Sequence, residues 1–126
     1  MEQAQRTESV YSMYAKGMEF LRDGHPHQAA IVLSKAKLAE PEKTSIREAL
    51  ARALYMSGRM RRARHEFAKT VQLDPANDYA HFGLALACER TGQRSRAIGH
   101  LKMAVAMHPG VEDYERALAR LDRSTA

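Results

Sequence analysis

The residues best suited to chemistry are six histidines and one cysteine, and their spacing argues against a metal or catalytic centre. His25 and His27 flank a proline, too close together and too turned to place two ligands on one face. Three further histidines lack cysteine or acidic partners at ligand spacing; they are His65, His100 and His108. No glycine-rich phosphate loop, nucleophile elbow or paired-carboxylate arrangement occurs. The sequence therefore predicts no metal site, no cofactor and no enzyme.

Composition indicates a single folded domain with an excess of positive charge. The 126 residues are 44% hydrophobic and 28% charged, with a formal net charge of +5. The longest run without Asp, Glu, Lys or Arg extends only from Gly24 to Ser34, whereas a bilayer needs about 18 apolar residues. The lone cysteine excludes an internal disulfide. Because no apolar leader follows Met1, we expect a cytoplasmic protein without a membrane span.

Six sets of positions recur along the chain at an interval of 34 residues, which indicates a tandem repeat. They are Gly17, Ala51 and Ala85; Phe20, Leu54 and Cys88; Gly24, Gly58 and Gly92; Ala29, Ala63 and Ala97; Leu33, Phe67 and Leu101; and Pro41, Pro75 and Pro109. Each glycine of the third set stands where a helix must end and turn at once. Each proline stops a second helix. Cys88 falls in an apolar set, which predicts a buried side chain rather than a nucleophile.

These signals predict three helix pairs followed by a seventh helix. The predicted helices span 9–23, 26–39, 45–57, 60–73, 78–91, 94–107 and 111–122, with apolar residues at helical spacing. Pro26 stands in a first turn, where proline is favoured. Ser45 and Glu48 form a predicted capping box, and Asn77 is the predicted N-cap of the fifth helix.

The repeat resembles the tetratricopeptide repeat, a 34-residue helix–turn–helix unit with the pattern W-x2-L-G-x2-Y, then A-x3-F, then P. The matching residues are Met13, Lys16, Gly17, Phe20, Ala29, Leu33 and Pro41; then Arg47, Leu50, Ala51, Leu54, Ala63, Phe67 and Pro75; then His81, Leu84, Ala85, Cys88, Ala97, Leu101 and Pro109. The chain departs from the pattern at Lys16, where leucine is usual. It also departs where tryptophan is usual, at Met13, Arg47 and His81. The resemblance implies an all-α fold, a right-handed α-solenoid of three such units.

We expect one domain at 9–122, with repeats at about 10–43, 44–77 and 78–111. The helix at 111–122 is predicted to cap the exposed end of the solenoid, with Leu118 and Leu121 facing back onto it. Residues 1–8 and 123–126 are predicted to be disordered or frayed tails.

In proteins of this family, the first helix of each repeat lines a concave groove that binds ligands. The resemblance therefore implies a set of candidate peptide-binding residues on those helices: Tyr11, Tyr14, Met18, Arg22, Arg52, Tyr55, Met56, Tyr79, Phe82, Leu86 and Arg90. Exposed aromatic side chains suit such a surface, because they offer a large rigid contact area. The alternative is that some of them pack between neighbouring helices, above all Tyr11 and Tyr79.

Some family members grip a C-terminal carboxylate through a clamp of lysine, asparagine and arginine. The matching positions here hold Tyr14, Met18, Ala49, Tyr79 and Gly83. No clamp is present, so the resemblance disfavours the tails of heat-shock chaperones as ligands.

A basic set lies on the predicted turns and outer helices: Arg59, Arg61, Arg62, Arg64, Lys69, Arg94, Arg96 and Lys102. Such a stripe could meet nucleic acid or an anionic membrane surface. Without interleaved aromatics it is typical of a solvated face, so the sequence argues against nucleic acid as the partner. The leading hypothesis is a protein–protein interaction module, namely an adaptor, chaperone or assembly scaffold, that binds a peptide segment in the groove. The alternative is a homo-oligomeric scaffold that buries the same apolar groove.

Overall fold

The computed structural model describes residues 9–123, which form seven α-helices and no strand. The helices are α1 (Val10–Arg22), α2 (Pro26–Ala39), α3 (Thr44–Met56), α4 (Met60–Leu73), α5 (Asp78–Arg90), α6 (Arg94–Met107) and α7 (Glu112–Arg123). Every helix end lies within one residue of its predicted position. Arg123, predicted to begin the C-terminal tail, is the last residue of α7. The predicted tail at 1–8 and the rest of the C-terminal tail lie outside the described residues.

The turns inside the helix pairs confirm the role predicted for the repeating glycines. Gly24, Gly58 and Gly92 have φ of 80°, 85° and 79°, a left-handed conformation that side chains rarely adopt. A Cβ atom built at any of them would meet nothing within 4 Å. Glycine is therefore required here by backbone conformation and not by lack of space.

The N-terminal end of α5 confirms one predicted cap, whereas the end of α3 corrects another. The Asn77 side chain accepts a hydrogen bond from the Ala80 N–H at 2.9 Å, as an N-cap should. The predicted capping box of Ser45 and Glu48 is wrong. The N-cap of α3 is Lys43, and no side chain caps that end, because the helix begins at Thr44 and places Ser45 inside the first turn. Glu48 instead accepts a hydrogen bond from Asn77 Nδ2 at 2.8 Å.

The helices stack in chain order, each packing on the one before it and the one after it. The large side chains Leu33, Phe67 and Leu101 are at most 2% exposed and belong to the hydrophobic core. Cys88 is fully buried, as predicted. The last helix, α7, packs on α6 with Leu121 buried and Leu118 half-buried against the core, so it covers the end of the stack.

The positions where tryptophan is usual hold polar groups in the second and third repeats. Arg47 donates from Nη1 to Glu66 at 2.9 Å and from Nε to the Pro41 carbonyl at 2.6 Å. Lys37 of the preceding repeat also donates to Glu66, at 2.8 Å. Both members of the central pair, Arg47 and Glu66, are buried. The buried ion pair therefore lies within the second repeat, and Lys37 and the Pro41 carbonyl connect it to the first.

The third repeat replaces this ion pair with two histidines at the same two positions. His81 Nε2 lies 2.9 Å from the Pro75 carbonyl, and His81 Nδ1 lies 3.0 Å from His100 Nδ1. A carbonyl can only accept, so the neutral form of His81 carries its proton on Nε2 and accepts from the Nδ1–H of His100. In the first repeat the two positions hold Met13 and Val32, both buried. The same location thus holds an apolar pair, an ion pair and a pair of imidazole rings in successive repeats.

Candidate functional site

The inner surface of the stack is formed by the first helix of each pair. α1 contacts α3, and α3 contacts α5, in addition to the contacts within each pair. All eleven candidate binding residues lie on these three helices. The exposed ones are Tyr11, Arg22, Met56, Tyr79 and Arg90, and the half-buried ones are Tyr14, Met18, Arg52, Tyr55, Phe82 and Leu86.

The alternative that some candidate residues pack between neighbouring helices fits Tyr79 better than Tyr11. Tyr11 is 81% exposed. Tyr79 is 36% exposed, and its ring contacts those of Phe67 and Phe82 with centroid distances of 6.5 and 6.4 Å. Its hydroxyl pKa is raised, chiefly by burial. Tyr79 is therefore part of a packed cluster that still presents one edge to solvent.

Tyr114 of α7 joins this cluster, which the sequence reasoning did not foresee. Its ring lies on that of Phe82, with a centroid distance of 4.8 Å, and only 6% of the residue is exposed. One signal could have found it: a step of 34 residues aligns Tyr114 with Ala80, an inward-facing position that is fully buried. We call Phe67, Tyr79, Phe82 and Tyr114 the aromatic cluster.

A hydrogen bond fixes Tyr114 in this position. Its hydroxyl donates to Asp78 Oδ2 at 2.7 Å, and His108 Nδ1 lies 3.3 Å from the same oxygen. The bond from Tyr114 is the main reason that the pKa of Asp78 is lowered. Burial, together with this bond, raises the pKa of Tyr114 above its ordinary value. The tyrosine therefore remains a neutral donor that ties α7 to the start of α5.

The aromatic side chains of the inner helices do not form one continuous row. No ring contact within residues 9–123 joins Tyr14, Tyr55 and Phe82. The Arg90 guanidinium lies over the Tyr55 ring, 6.0 Å from its centroid. Tyr14 and Tyr11 line a separate cavity of about 290 Å³ between the start of α1 and the start of α3, which contributes Ser45 and Ile46. The aromatic surface is thus concentrated where the second and third repeats meet.

That junction contains a small cavity, which we call the junction cavity. Its volume is about 140 Å³. Its lining comes from α3, α4 and α5: Arg52, Tyr55, Met56, Phe67, Tyr79, Phe82, Gly83 and Leu86. A larger depression of about 650 Å³ lies over the turn from Glu40 to Ser45. That turn is almost entirely exposed and polar, so the smaller cavity is the better candidate for a binding site.

Several of the outer basic residues are engaged within the chain. Arg64 donates to Thr91 Oγ1 at 2.8 Å, and Arg94 donates to the Leu121 carbonyl at 3.2 Å. Arg61 and Arg62 are exposed, and neither forms a hydrogen bond or ion pair with another side chain in the described part of the chain. The outer basic set is therefore partly structural.

Of the histidines and the cysteine, His81 and Cys88 are buried. Within residues 9–123, no group of three or more His, Cys, Asp and Glu side chains could hold a metal ion. Burial raises the pKa of the Cys88 thiol, which disfavours the reactive thiolate. No helix in the described range is long and apolar enough to cross a membrane.

Stacked helix pairs with an open inner surface define a helical-repeat protein. A family model described as tetratricopeptide repeat matches residues 14–77 and again residues 48–112. The chain belongs to the tetratricopeptide repeat family, as its sequence predicted. A search of curated proteins finds no significant match.

Solved structures show the same fold at low sequence identity. The first repeat domain of Spaghetti (RPAP3), bound to the HSP90 peptide SRMEEVD, has a TM-score of 0.88 at 15% identity, covering 92% of each chain. MamA has a TM-score of 0.88 at 17% identity, covering 93% of this chain and 68% of that one. The Yersinia enterocolitica type III secretion chaperone SycD, in complex with a peptide of the translocator YopD, has a TM-score of 0.78 at 14% identity. That match covers 93% of this chain and 89% of SycD.

Proposed function

We propose that the protein is an adaptor, chaperone or assembly scaffold that binds a peptide segment of its partner on the inner surface of the solenoid, and that it is not an enzyme. The observation that carries this proposal is the aromatic cluster beside the junction cavity. Met56 at this surface is 51% exposed and Tyr79 is 36% exposed. Apolar and aromatic side chains grouped in this way are typical of binding hot spots.

The comparisons support a binding role without identifying the partner. Two of the similar structures, those of Spaghetti and SycD, contain a bound peptide. Each is at most 15% identical to this chain, so the shared property is the fold. The ligand of this protein must therefore be identified by binding experiments on this protein itself.

The test is a selection from a random peptide library displayed on phage, with the immobilised protein as bait. Binding of the selected peptides is then measured by fluorescence anisotropy with the wild type, Tyr79→Ala and Phe82→Ala. We expect each variant to weaken binding roughly 30-fold, as truncation of a hot-spot aromatic does. Circular dichroism and urea titration check that both variants remain folded.

The matched control is Arg61→Ser/Arg62→Ser on the outer surface. It should change the affinity less than about threefold at physiological salt, because exposed charges act through a screened field. The opposite ranking, with binding lost in the arginine variant and steeply dependent on salt, would contradict the groove proposal and make an anionic partner the better explanation.

The alternative function is a homo-oligomeric scaffold that buries the same surface. Light scattering at tens of micromolar separates the two. A monomer that binds the selected peptides supports the adaptor. A stable dimer that dissociates in Tyr79→Ala and Phe82→Ala, but not in the arginine control, would instead favour the scaffold.

A further inference from the structure

The junction cavity has the size and lining of a socket for one side chain. At about 140 Å³ it is close to the cavity of about 150 Å³ that holds a benzene molecule in an engineered protein interior. Phe67 is 2% exposed and contributes the part of the lining that belongs to the core. The space is therefore suited to a single phenylalanine-, leucine- or methionine-sized group.

The cavity depends on a glycine in α5. A Cβ atom at Gly83 would lie 2.4 Å from the Phe67 ring, so the ring packs directly against the α5 backbone. The corresponding positions of the first two repeats hold Ala15 and Ala49. The glycine lets a phenylalanine, rather than the leucine of the other repeats, reach the adjacent repeat.

Two arginines place guanidinium groups at this site. Arg52 lines the cavity, and Arg90 lies over the ring of Tyr55, another lining residue. No ion pair within residues 9–123 includes either guanidinium. Of the nearby carboxylates, Glu89 is paired with Arg120 at 3.0 Å, and Glu48 accepts a hydrogen bond from the Asn77 amide. Unpaired guanidinium groups bind carboxylates well, because they offer two parallel donors.

We propose that the junction cavity takes one phenylalanine-sized or leucine-sized side chain of the partner, and that Arg52 and Arg90 bind carboxylates on the residues that flank it. The inference rests on the proposed function and specifies its ligand as an acidic segment with a single apolar anchor. Leu86, at the wall of the cavity, sets the size of the anchor that fits.

The test uses short fluorescein-labelled peptides of one design. The parent peptide has a central phenylalanine flanked by aspartates in a glycine–serine background. Its relatives carry a central alanine, a central tryptophan, or lysines in place of the aspartates. We expect the central alanine to weaken binding roughly 30-fold, and the lysine flanks to abolish measurable binding.

Protein variants then assign each contact. Arg52→Gln and Arg90→Gln should each weaken the parent peptide several-fold and reduce the preference for aspartate over lysine flanks, whereas Arg61→Gln, the matched control, should do neither. Leu86→Ala should enlarge the cavity and shift the preference from phenylalanine towards tryptophan. A general loss of stability would weaken the binding of the phenylalanine and tryptophan peptides equally, and would leave the preference between them unchanged.

The outcomes separate this inference from the proposed function. If peptides selected from the random library require Tyr79 and Phe82, but the parent peptide does not bind, the groove stands and the acidic-anchor inference is overturned. The inference is also overturned if Leu86→Ala leaves the size preference unchanged, or if Arg61→Gln reduces binding as much as the two groove variants do.

Discussion

The two junctions between repeats use the same backbone positions. They differ in the residues at the polar contact and in the residues at the inner surface. At the polar contact, the first junction has Lys37 bound to the ion pair of Glu66 and Arg47, whereas the second has His81, which is hydrogen-bonded to His100 of its own repeat. In both junctions, a side chain of the later repeat is hydrogen-bonded to the carbonyl of the proline that ends the preceding repeat. The register therefore fixes where the polar groups meet, while their identity determines how the junction responds to pH.

At the inner surface, the difference lies in the residues at two repeating positions. The first junction has Leu33 and Ala49 at these positions, and the second has Phe67 and Gly83. A Cβ atom at Gly83 would lie 2.4 Å from Phe67, across the junction to the third repeat. The second junction thus combines a larger side chain with a smaller residue at the next position, and Phe67 and Gly83 both line the junction cavity. The comparison shows how a regular solenoid acquires one distinctive site.

The largest effect is expected from Phe67→Ala, which removes a buried ring from the second junction. Loss of this side chain should lower the free energy of unfolding by about 3–5 kcal/mol, a large fraction of the 5–15 kcal/mol typical of a domain. Urea titration followed by circular dichroism measures the change. Phe67→Leu, which restores the residue of the other repeats, should cost much less, about 1 kcal/mol. A cost below about 1 kcal/mol for the alanine variant would show that Phe67 does not hold the junction together.

The next effect is expected at the first junction, from Glu66→Ala. This change leaves Arg47 as a buried cation without a carboxylate, which should cost about 3 kcal/mol. We choose the lower end of the usual range because the Lys37 side chain is 24% exposed and can turn to water. Leu33→Ala in urea titration provides a reference for a purely apolar loss in the same repeat pair. A Glu66→Ala protein as stable as the wild type would mean that the ion pair is dispensable.

The smallest effect is a pH dependence confined to the second junction. The pKa of His100 is lowered, mainly because the ring is buried and also because His81 and Arg96 repel its proton. An unfolded histidine titrates near 6.5, so below that pH the unfolded chain binds protons that the folded chain does not. Stability should therefore be complete above about pH 6.5 and fall as the pH decreases towards the lowered pKa.

The matched variant for this prediction is His81→Met/His100→Val, which copies the apolar pair of the first repeat. Urea midpoints of the wild type and the variant at pH 7.5 and 5.5 make the comparison. The wild type should lose more stability than the variant over this interval. Equal losses would show that the histidine pair does not cause the pH dependence.

The fold could be predicted from the sequence because its signals repeat. Each of the glycine turns and proline stops occurs three times, so one ambiguous residue could not move a helix. The cap of α3 was misplaced because its only signal was the local pair of Ser45 and Glu48, and Glu48 is used by Asn77 of the next repeat instead.

The candidate site was less accessible to sequence reasoning. The family resemblance indicated which helices form the inner surface, but the aromatic cluster includes Tyr114 from α7, whose role depends on a contact across 36 residues to Asp78. The junction cavity forms where Phe67 and Gly83 meet, and no sequence signal at either residue predicts that contact. Burial of the polar pairs, such as Glu66 with Arg47, likewise follows from helix packing and not from any local motif.

The measurement that tests the central claim most directly is methionine-methyl NMR during titration with a library-selected peptide. Met56 lies at the junction cavity and is 51% exposed. Met103 and Met107 lie on the outer helix α6 and are similarly exposed, at 44% and 38%. If the inner surface binds the partner, the Met56 signal should shift in a saturable manner while those of Met103 and Met107 stay in place. Shifts at Met103 and Met107 with an unchanged Met56 signal would contradict the account.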